Sequence, residues 1–243
     1  MSNRVAIVTG GSRGIGAAIA EALAKDGYDI AISYSSSSGA AEKVAEKIRG
    51  LGRKALTIKA NSASVEGNRE VIAETIIAFG RIDALGSNAG TYPYGPLDEM
   101  TVGQIENILN LNVRAVMVET MEAVKHMKAG GRIIYIGSAF GARAPFPGIS
   151  LYAATKAALR GFAKGVARDL GSRGITANVI EPGPIHTDMN PEDGEGAALI
   201  SSFVATGAYG TVDDIAAMAA FLASPKASYI TGAALPVDGG LEA

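Results

Sequence analysis

The sequence predicts an α/β fold in which a doubly wound, mostly parallel sheet is covered by helices on both faces, and three observations carry that expectation. Short β-branched runs alternate with longer segments of helical period from one end to the other. A glycine-rich loop lies between the first run and the first helical segment. Hydrophobic residues make up 48% of the 243 and charged residues 19%, which fits a chain that buries a sizeable core. Strict alternation of strand and helix implies right-handed crossovers and a sheet buried on both sides.

In chain order the strand candidates are Val5–Thr9, Asp29–Ser33, Lys54–Lys59, Ile82–Gly86, Arg132–Gly137, Thr176–Glu181 and Ala234–Val237. Between them, Ile15, Ile19 and Leu23 recur at helical spacing, and Val71, Ile72, Ile76 and Ile77 form a second helical stripe. Ser35–Ser38 reads as a solvated loop. The turn formers of Asn190–Gly196 interrupt a late connection, and a mobile substrate flap is expected over about residues 184–210. There is no internal repeat and no linker-like boundary, so residues 1–243 read as one domain. Ligands of such folds sit at the carboxyl ends of the strands.

Several function classes are excluded by composition. A formal net charge of −2 argues against a nucleic-acid partner bound by phosphate neutralisation. The absence of cysteine removes disulfides, thiolate metal sites and cysteine nucleophiles. With His126 and His186 the only histidines, no metal site is expected. The opening Met1-Ser2-Asn3-Arg4 leads straight into Val5-Ala6-Ile7-Val8, too short a run for a signal-peptide core, and no apolar stretch approaches the roughly 20 residues of a membrane span. A cytoplasmic protein with no membrane partner is expected.

Thr9-Gly10-Gly11-Ser12-Arg13-Gly14-Ile15-Gly16 follows the first strand and opens the first helix. Glycine lets the backbone approach a ligand closely, and free N–H groups at a helix start favour a pyrophosphate. A glycine cluster alone is equally a tight turn; its place between strand and helix makes it a dinucleotide site. The spacing Gly10-x3-Gly14-x-Gly16 departs from GxGxxG and resembles the TGxxxGxG signature of the short-chain dehydrogenase/reductase family. At the end of the second strand an Asp or Glu would bind the adenosine ribose and repel a 2′-phosphate. The segment Ala31-Ile32-Ser33-Tyr34-Ser35-Ser36 has no carboxylate, Arg13 offers a cation, and the Ser35–Ser37 hydroxyls offer donors. In the family this combination resembles users of NADP(H) rather than NAD(H), so NADP(H) is the expected cofactor. The other reading of Arg13 is an exposed arginine at a helix start.

Tyr152 and Lys156 are four residues apart, which puts them on one face of a helix. A free tyrosine titrates near pH ~10, and a nearby ammonium favours the phenolate. A tuned hydroxyl can donate a proton to a developing alkoxide or accept one from an alcohol. As a spacing the pair is ordinary helix surface, and its context raises it. Ser138 ends the fifth strand, where its hydroxyl can hold a substrate oxygen. Ser150 is the nearer serine, but it reads as the cap of the tyrosine's helix. Asn112 falls inside a predicted helix where asparagine is intrinsically unfavourable, so it either kinks the helix or binds something.

The resemblance extends over essentially the whole chain. Ser87-Asn88-Ala89-Gly90 stands where the family shows NNAG, Tyr152-x-x-x-Lys156 matches YxxxK, Pro182-Gly183 follows the sixth strand, and Tyr229-Ile230-Thr231-Gly232 leads into Val237-Asp238-Gly239-Gly240. It implies a single Rossmann-type domain with a seven-stranded sheet and a catalytic tetrad of Asn112, Ser138, Tyr152 and Lys156. Tyr152 would be the acid/base, and Ser138 would hold the carbonyl oxygen. Lys156 would bind the nicotinamide ribose and depress the tyrosine pKa, and Asn112 would hold a water linking lysine to solvent. The implied cofactor set is Gly10, Ser12, Arg13, Gly14, Ile15, Gly16, Tyr34, Ser35, Ser36, Asn61, Ser62, Asn88, Ala89, Gly90, Tyr152, Lys156, Pro182, Gly183, Ile185 and Thr187. Within it Asn88 and Gly90 would line the adenosine side, and Ile185 and Thr187 would contact the carboxamide. Two departures stand out: Ser87 replaces the first Asn of NNAG, and Asn61 stands where the family usually has an Asp near the adenine.

The substrate pocket is expected between Phe140–Ile149, the Tyr92/Tyr94 loop and Pro184–Tyr209. Phe140, Phe146, Pro147, Tyr92 and Tyr94 suggest an apolar pocket for a medium-sized carbonyl compound, or else some of them pack on a neighbouring subunit. Arg143 either anchors an anionic substrate or faces water, and His186 reads as a surface residue of the lid. The resemblance implies a carbonyl reductase or alcohol dehydrogenase similar to the 3-oxoacyl-carrier-protein reductase branch, acting on a ketone, a secondary alcohol or a 3-oxoacyl thioester. A rival reading comes from Pro182–Pro191, which is similar to the corresponding segment of biofilm-dispersal members described as binding cyclic di-GMP; the intact tetrad favours the enzyme. Small residues along Leu151–Leu170 permit close helix packing, and the resemblance implies a homotetramer.

Overall fold

The computed structural model describes residues 4–243; Met1, Ser2 and Asn3, on which the reading of the chain's opening rests, lie outside the described residues. β1 (Arg4–Val8) runs through the glycine loop into α1 (Gly14–Lys25), followed by β2 (Tyr28–Tyr34), α2 (Ser38–Gly50), β3 (Ala55–Lys59), α3 (Val65–Phe79) and β4 (Ala84–Ser87). α4 (Val102–Leu109) continues through a π turn (Asn110–Arg114) into α5 (Ala115–Ala123). β5 (Arg132–Ile136), α6 (Ser150–Leu170), β6 (Thr176–Pro182), α7 (Ala197–Ser202), α8 (Val212–Ala223) and β7 (Ala234–Val237) complete the order.

The strands form one seven-stranded sheet in the order β3-β2-β1-β4-β5-β6-β7, every neighbouring pair parallel. This is the Rossmann-type architecture expected from the alternation. Because side chains alternate across a strand, Ala6 and Val8 of β1 face one layer while Ile7 faces the other. The first layer packs Ile19, Leu23, Ile215 and Leu222 of α1 and α8 against Ile30, Ile32, Ile134 and Ile180. The second packs Val71, Ile72, Val116, Leu159 and Val166 of α3, α5 and α6 against Leu85, Ile133, Tyr135 and Val179. Strand order reverses between β1 and β4, and a crevice opens at their carboxyl ends.

Three local expectations are corrected. Ile77 is 85% exposed while Val71 and Ile72 are buried. At about 100° per residue Ile77 points away from the arc holding Val71, Ile72, Thr75 and Ile76, so it does not belong to the core stripe. Ser150 is the first residue of α6, the cap position is Ile149, and no side chain caps that helix. β4 begins at Ala84, two residues after the predicted start, with Ile82 buried just ahead of it.

Candidate active site

At the carboxyl end of β1 the chain turns through Gly10 and Gly14, whose φ angles of 62° and 54° favour glycine. Arg13 caps α1 in an extended conformation without a side-chain cap bond, so the first-turn N–H groups of α1 meet no capping side chain. A Cβ on Gly16 would lie 2.5 Å from both Asn88 Nδ2 and Gly10 O, so the loop is folded tightly on its neighbour. Asn88 Nδ2 donates to Thr9 O at 2.9 Å and to Gly10 O at 3.2 Å. Thr9 Oγ1 accepts from Asn88 N at 3.0 Å and Ala89 N at 3.2 Å. The glycine loop and the loop after β4 are thereby tied into one surface.

The second half of the crevice is set by α6. Tyr152 and Lys156 share its inward face, and Lys156 Nζ donates to Ile136 O at 2.7 Å and lies 5.6 Å from the Tyr152 ring centroid. Ser138 follows β5; its Oγ accepts from Phe140 N at 3.1 Å, and its hydroxyl is hydrogen-bonded to that of Tyr152. Asn112 sits in the π turn, a feature that inserts one residue into a helix and redirects its side chains. Its Oδ1 accepts from Thr91 N at 2.9 Å, while Nδ2 donates to Thr91 O at 2.9 Å and Thr155 Oγ1 at 3.2 Å. The helix widens to a π turn at Asn112, whose amide is bonded to Thr91 and Thr155.

Burial dominates the electrostatics. It pushes the Tyr152 hydroxyl up, with the bond to Ser138 opposing, and it pushes Lys156 down to about 8. Burial, rather than the lysine ammonium, sets the direction of the tyrosine's shift. Each group is deep enough that loss of water disfavours its charged form, and the ammonium is directed to the Ile136 carbonyl. Tyr92 stands edge-on to Tyr152, with ring centroids 4.7 Å apart, and burial pushes its hydroxyl up to about 12.

A cleft of about 570 Å³ joins the two halves. A family model described as "Enoyl-(Acyl carrier protein) reductase" matches residues 10–242, which spans both the glycine loop and α6. The chain belongs to the short-chain dehydrogenase/reductase family. A short-chain dehydrogenase from Burkholderia cenocepacia solved in complex with NADP superposes with a TM-score of 0.98 at 48% identity, covering 99% of this chain and 98% of that one. A cyclic-di-GMP-binding biofilm dispersal mediator protein of Escherichia coli is 38% identical over 100% of this chain and 98% of its own length. A hydroxynaphthalene reductase of Aspergillus fumigatus is also 38% identical, over 96% of this chain and 90% of its own length.

Most residues implied by the dehydrogenase/reductase resemblance line this one cleft: Gly10, Ser12 to Gly16, Tyr34, Ser35, Asn61, Ser62, Asn88 to Gly90, Ser138, Tyr152, Lys156, Pro182, Gly183, Ile185 and Thr187. Ser36 is not on the wall; it is exposed in the turn before α2, where its carbonyl accepts from Ser38 N at 3.2 Å. Asn112 is buried behind the wall, its side chain engaged with Thr91 and Thr155. A Cβ on Gly90 would lie 3.3 Å from Asn112 Oδ1 and 3.7 Å from Lys156 Nζ, so this glycine stands beside the tyrosine–lysine pair. Asn61 Oδ1 accepts from Ala63 N at 3.0 Å, so its amide oxygen is engaged in its own turn. Arg143 is exposed and off the cleft wall, as its water-facing reading has it, and its Nη1 donates to Leu241 O at 2.5 Å, tying the loop after β5 to Leu241. Among the described residues no cluster of three or more His, Asp or Glu could hold a metal, and no helix is long and apolar enough to cross a membrane.

Sequence reasoning missed Glu119. It lies on α5, is 1% exposed, and accepts from Ser87 Oγ at 2.5 Å, with Thr9 Oγ1 3.5 Å from the same oxygen. Burial pushes its carboxyl up to about 7. The only signal was the Ser at position 87, whose short side chain leaves room for a partner that the sequence does not point to.

Proposed function

We propose that this chain is an NADP(H)-dependent carbonyl reductase that converts a neutral, largely apolar ketone to a secondary alcohol, with Tyr152 as the proton donor. The observation that carries this reading is the hydroxyl pair of Tyr152 and Ser138, next to buried Lys156, in the same cleft as a tight glycine loop and an uncapped helix start.

The glycine loop fits a pyrophosphate: the close approach at Gly16 and the α1 N–H groups make an anion-binding cradle without a side chain in it. Exposed Arg13 at the cleft wall, with Tyr34 and Ser35 and no carboxylate beside them, suits a 2′-phosphate. Replacing Ser35 with Asp is expected to shift the NADPH/NADH efficiency ratio by about tenfold toward NADH; an unchanged ratio removes this argument. Lys156 would hold the nicotinamide ribose, and Ile185 and Thr187 would meet the carboxamide.

When bound, NADPH supplies the hydride for the carbonyl carbon. Ser138 and Tyr152 hydroxyls hold the carbonyl oxygen and stabilise the charge that grows on it. A half-buried Tyr152 with a raised pKa is protonated at neutral pH, the form that a proton donor to an alkoxide needs. Lys156, protonated below about 8, lies beside the ring to favour the phenolate left behind. Asn112 acts by tying Thr91 to Thr155 of α6, the helix that carries the pair.

Around Tyr152 the wall carries Tyr92, Leu111, Phe140, Met189 and Ile200, and Arg13 and Lys156 are its only cations among the described residues. With Arg143 engaged at Leu241, no further cation is offered to an anionic substrate. Residues 184–210 act as the flap. Their ends are joined by Gly210 N to Pro184 O and His186 N to Gly210 O, both at 2.9 Å, and Met189 and Leu199 are exposed on them. A homotetramer through α5 and α6 is supported by exposed Met117 and Met121 and by Gly161 and Gly165, which have open space around them.

The similarity to the biofilm dispersal mediator protein favours a second reading, in which the cleft binds cyclic di-GMP without turnover. Following NADPH oxidation over neutral aryl ketones, diketones and 3-oxoacyl thioesters, alongside a cyclic di-GMP titration, separates the two. Turnover on neutral ketones is expected. No turnover on any of them, together with tight cyclic di-GMP binding, reverses the order.

A further inference from the structure

β1 and β4 are paired, so their first residues beyond the sheet emerge side by side: Thr9 N donates to Gly86 O at 3.0 Å. These two strand ends carry the glycine loop and the Asn88–Gly90 loop, which line the cleft, whereas Thr9, Ser87 and Glu119 do not. Thr9 Oγ1 already accepts two backbone N–H bonds, from Asn88 and Ala89, so both its lone pairs are used. Its one hydrogen must go elsewhere, and the acceptor in reach is Glu119 Oε2. Ser87 Oγ donates to that same oxygen. A single buried carboxyl thus fixes the direction of two hydroxyls, one on each strand end.

We propose that Glu119 is a positioning residue for the cofactor, acting through Thr9 and Ser87 to set the spacing between the glycine loop and the Asn88–Gly90 loop. This rests on the reading of that cleft as the NADP(H) site. It accounts for the departure at position 87: the serine and Glu119 form one unit in place of a longer side chain on β4. Among the described residues no cation compensates the carboxyl, whose pKa is set by burial against the two hydroxyls. Tyr135 of β5 is the titratable group that feels its charge, while Arg69 of α3 pairs with Glu122 on the outer side of α5. Loss of its proton near neutral pH places a negative charge beneath loops that hold an anion.

The test uses the full chain as native protein, Glu119→Gln and Glu119→Leu, with the NADPH Kd measured by direct titration from about pH 6 to about pH 8. Glutamine keeps an acceptor oxygen, so its Kd at the acid end is expected within about threefold of native. Leucine leaves both hydroxyls without that acceptor, and its Kd is expected to rise about tenfold, with the KM for ketone at saturating NADPH little changed. The native Kd is expected to rise with pH relative to the glutamine variant, whose own profile reports the titration of the cofactor phosphate and every other shared group. Should the leucine variant not fold, that difference between native and glutamine profiles decides the matter. Superimposable Kd profiles for native and glutamine proteins, or native affinity in the leucine variant, overturn the role of Glu119 alone. No NADPH binding by the native protein brings down the functional reading, and this role with it.

Discussion

At the glycine-loop end of the cleft the walls are held from behind by buried groups, with Asn88, Thr9, Ser87 and Glu119 tying two strand ends together. At the Tyr152 end α6, the end of β5 and Thr91, held by Asn112, are fixed, but the walls beyond them are loops: Tyr94 is 65% exposed and Met189 62%. Single contacts join those loops, as between Gly95 N and Gly148 O at 3.1 Å and between the Phe146 and Phe203 rings at 6.2 Å. The difference teaches where each kind of change will be felt. A substitution at the first end alters cofactor geometry through the sheet, whereas loop changes at the second end alter which ketone is accepted and leave the chemistry standing.

Lys156 touches both ends, so its removal is the severest way to break the contrast. Lys156→Ala is expected to lower kcat/KM about 100-fold or more and to raise the NADPH Kd as well, read by steady-state kinetics and titration. An effect confined to kcat would assign the lysine to the tyrosine alone. Gly16→Ala attacks the first end only. The added Cβ meets Asn88 Nδ2 and Gly10 O at 2.5 Å, and overpacking of this kind costs about 1–3 kcal/mol. Weaker NADPH binding, by about tenfold, is expected with the KM for ketone at saturating cofactor unchanged.

The smallest effect concerns pH. The Glu119 carboxyl is raised in the folded protein to about 7 from the usual carboxylate range, so the native state holds its proton where the unfolded chain has released it. Its contribution to stability is full below the unfolded pKa and is lost as pH rises through about 7. Glu119→Gln lacks this dependence, so its Tm is expected to gain on that of the native protein by about 5 °C between about pH 5 and about pH 8. A Tm difference independent of pH would mean that Glu119 is already ionised across that range.

Much of the first end was legible in the sequence because it is written in backbone requirements: Gly10, Gly14 and Gly16 at fixed spacing after a β-branched run, with Asn88 in a recognisable motif. The doubly wound parallel sheet was legible too, since alternation of elements leaves few topologies. Glu119 was not, because a glutamate on an amphipathic helix reads as surface until tertiary packing buries it. Ile77 failed in the opposite sense, an apolar residue that periodicity places near the core stripe but that lies off its arc. Arg143 and Asn112 show the limit of chemistry without geometry: the residue types were noted, but their partners, Leu241 O and the Thr91 backbone, are distant in sequence.

The central claim is that Tyr152 gives the proton to the ketone oxygen. Its most direct test compares Tyr152→Phe with the native protein in two measurements on the same samples, NADPH affinity and turnover of a neutral ketone. Phenylalanine preserves the ring beside Tyr92 and Lys156 and removes only the hydroxyl. The account predicts NADPH binding within about twofold of native and turnover reduced by about a thousandfold. Turnover near the native rate with binding intact would contradict it.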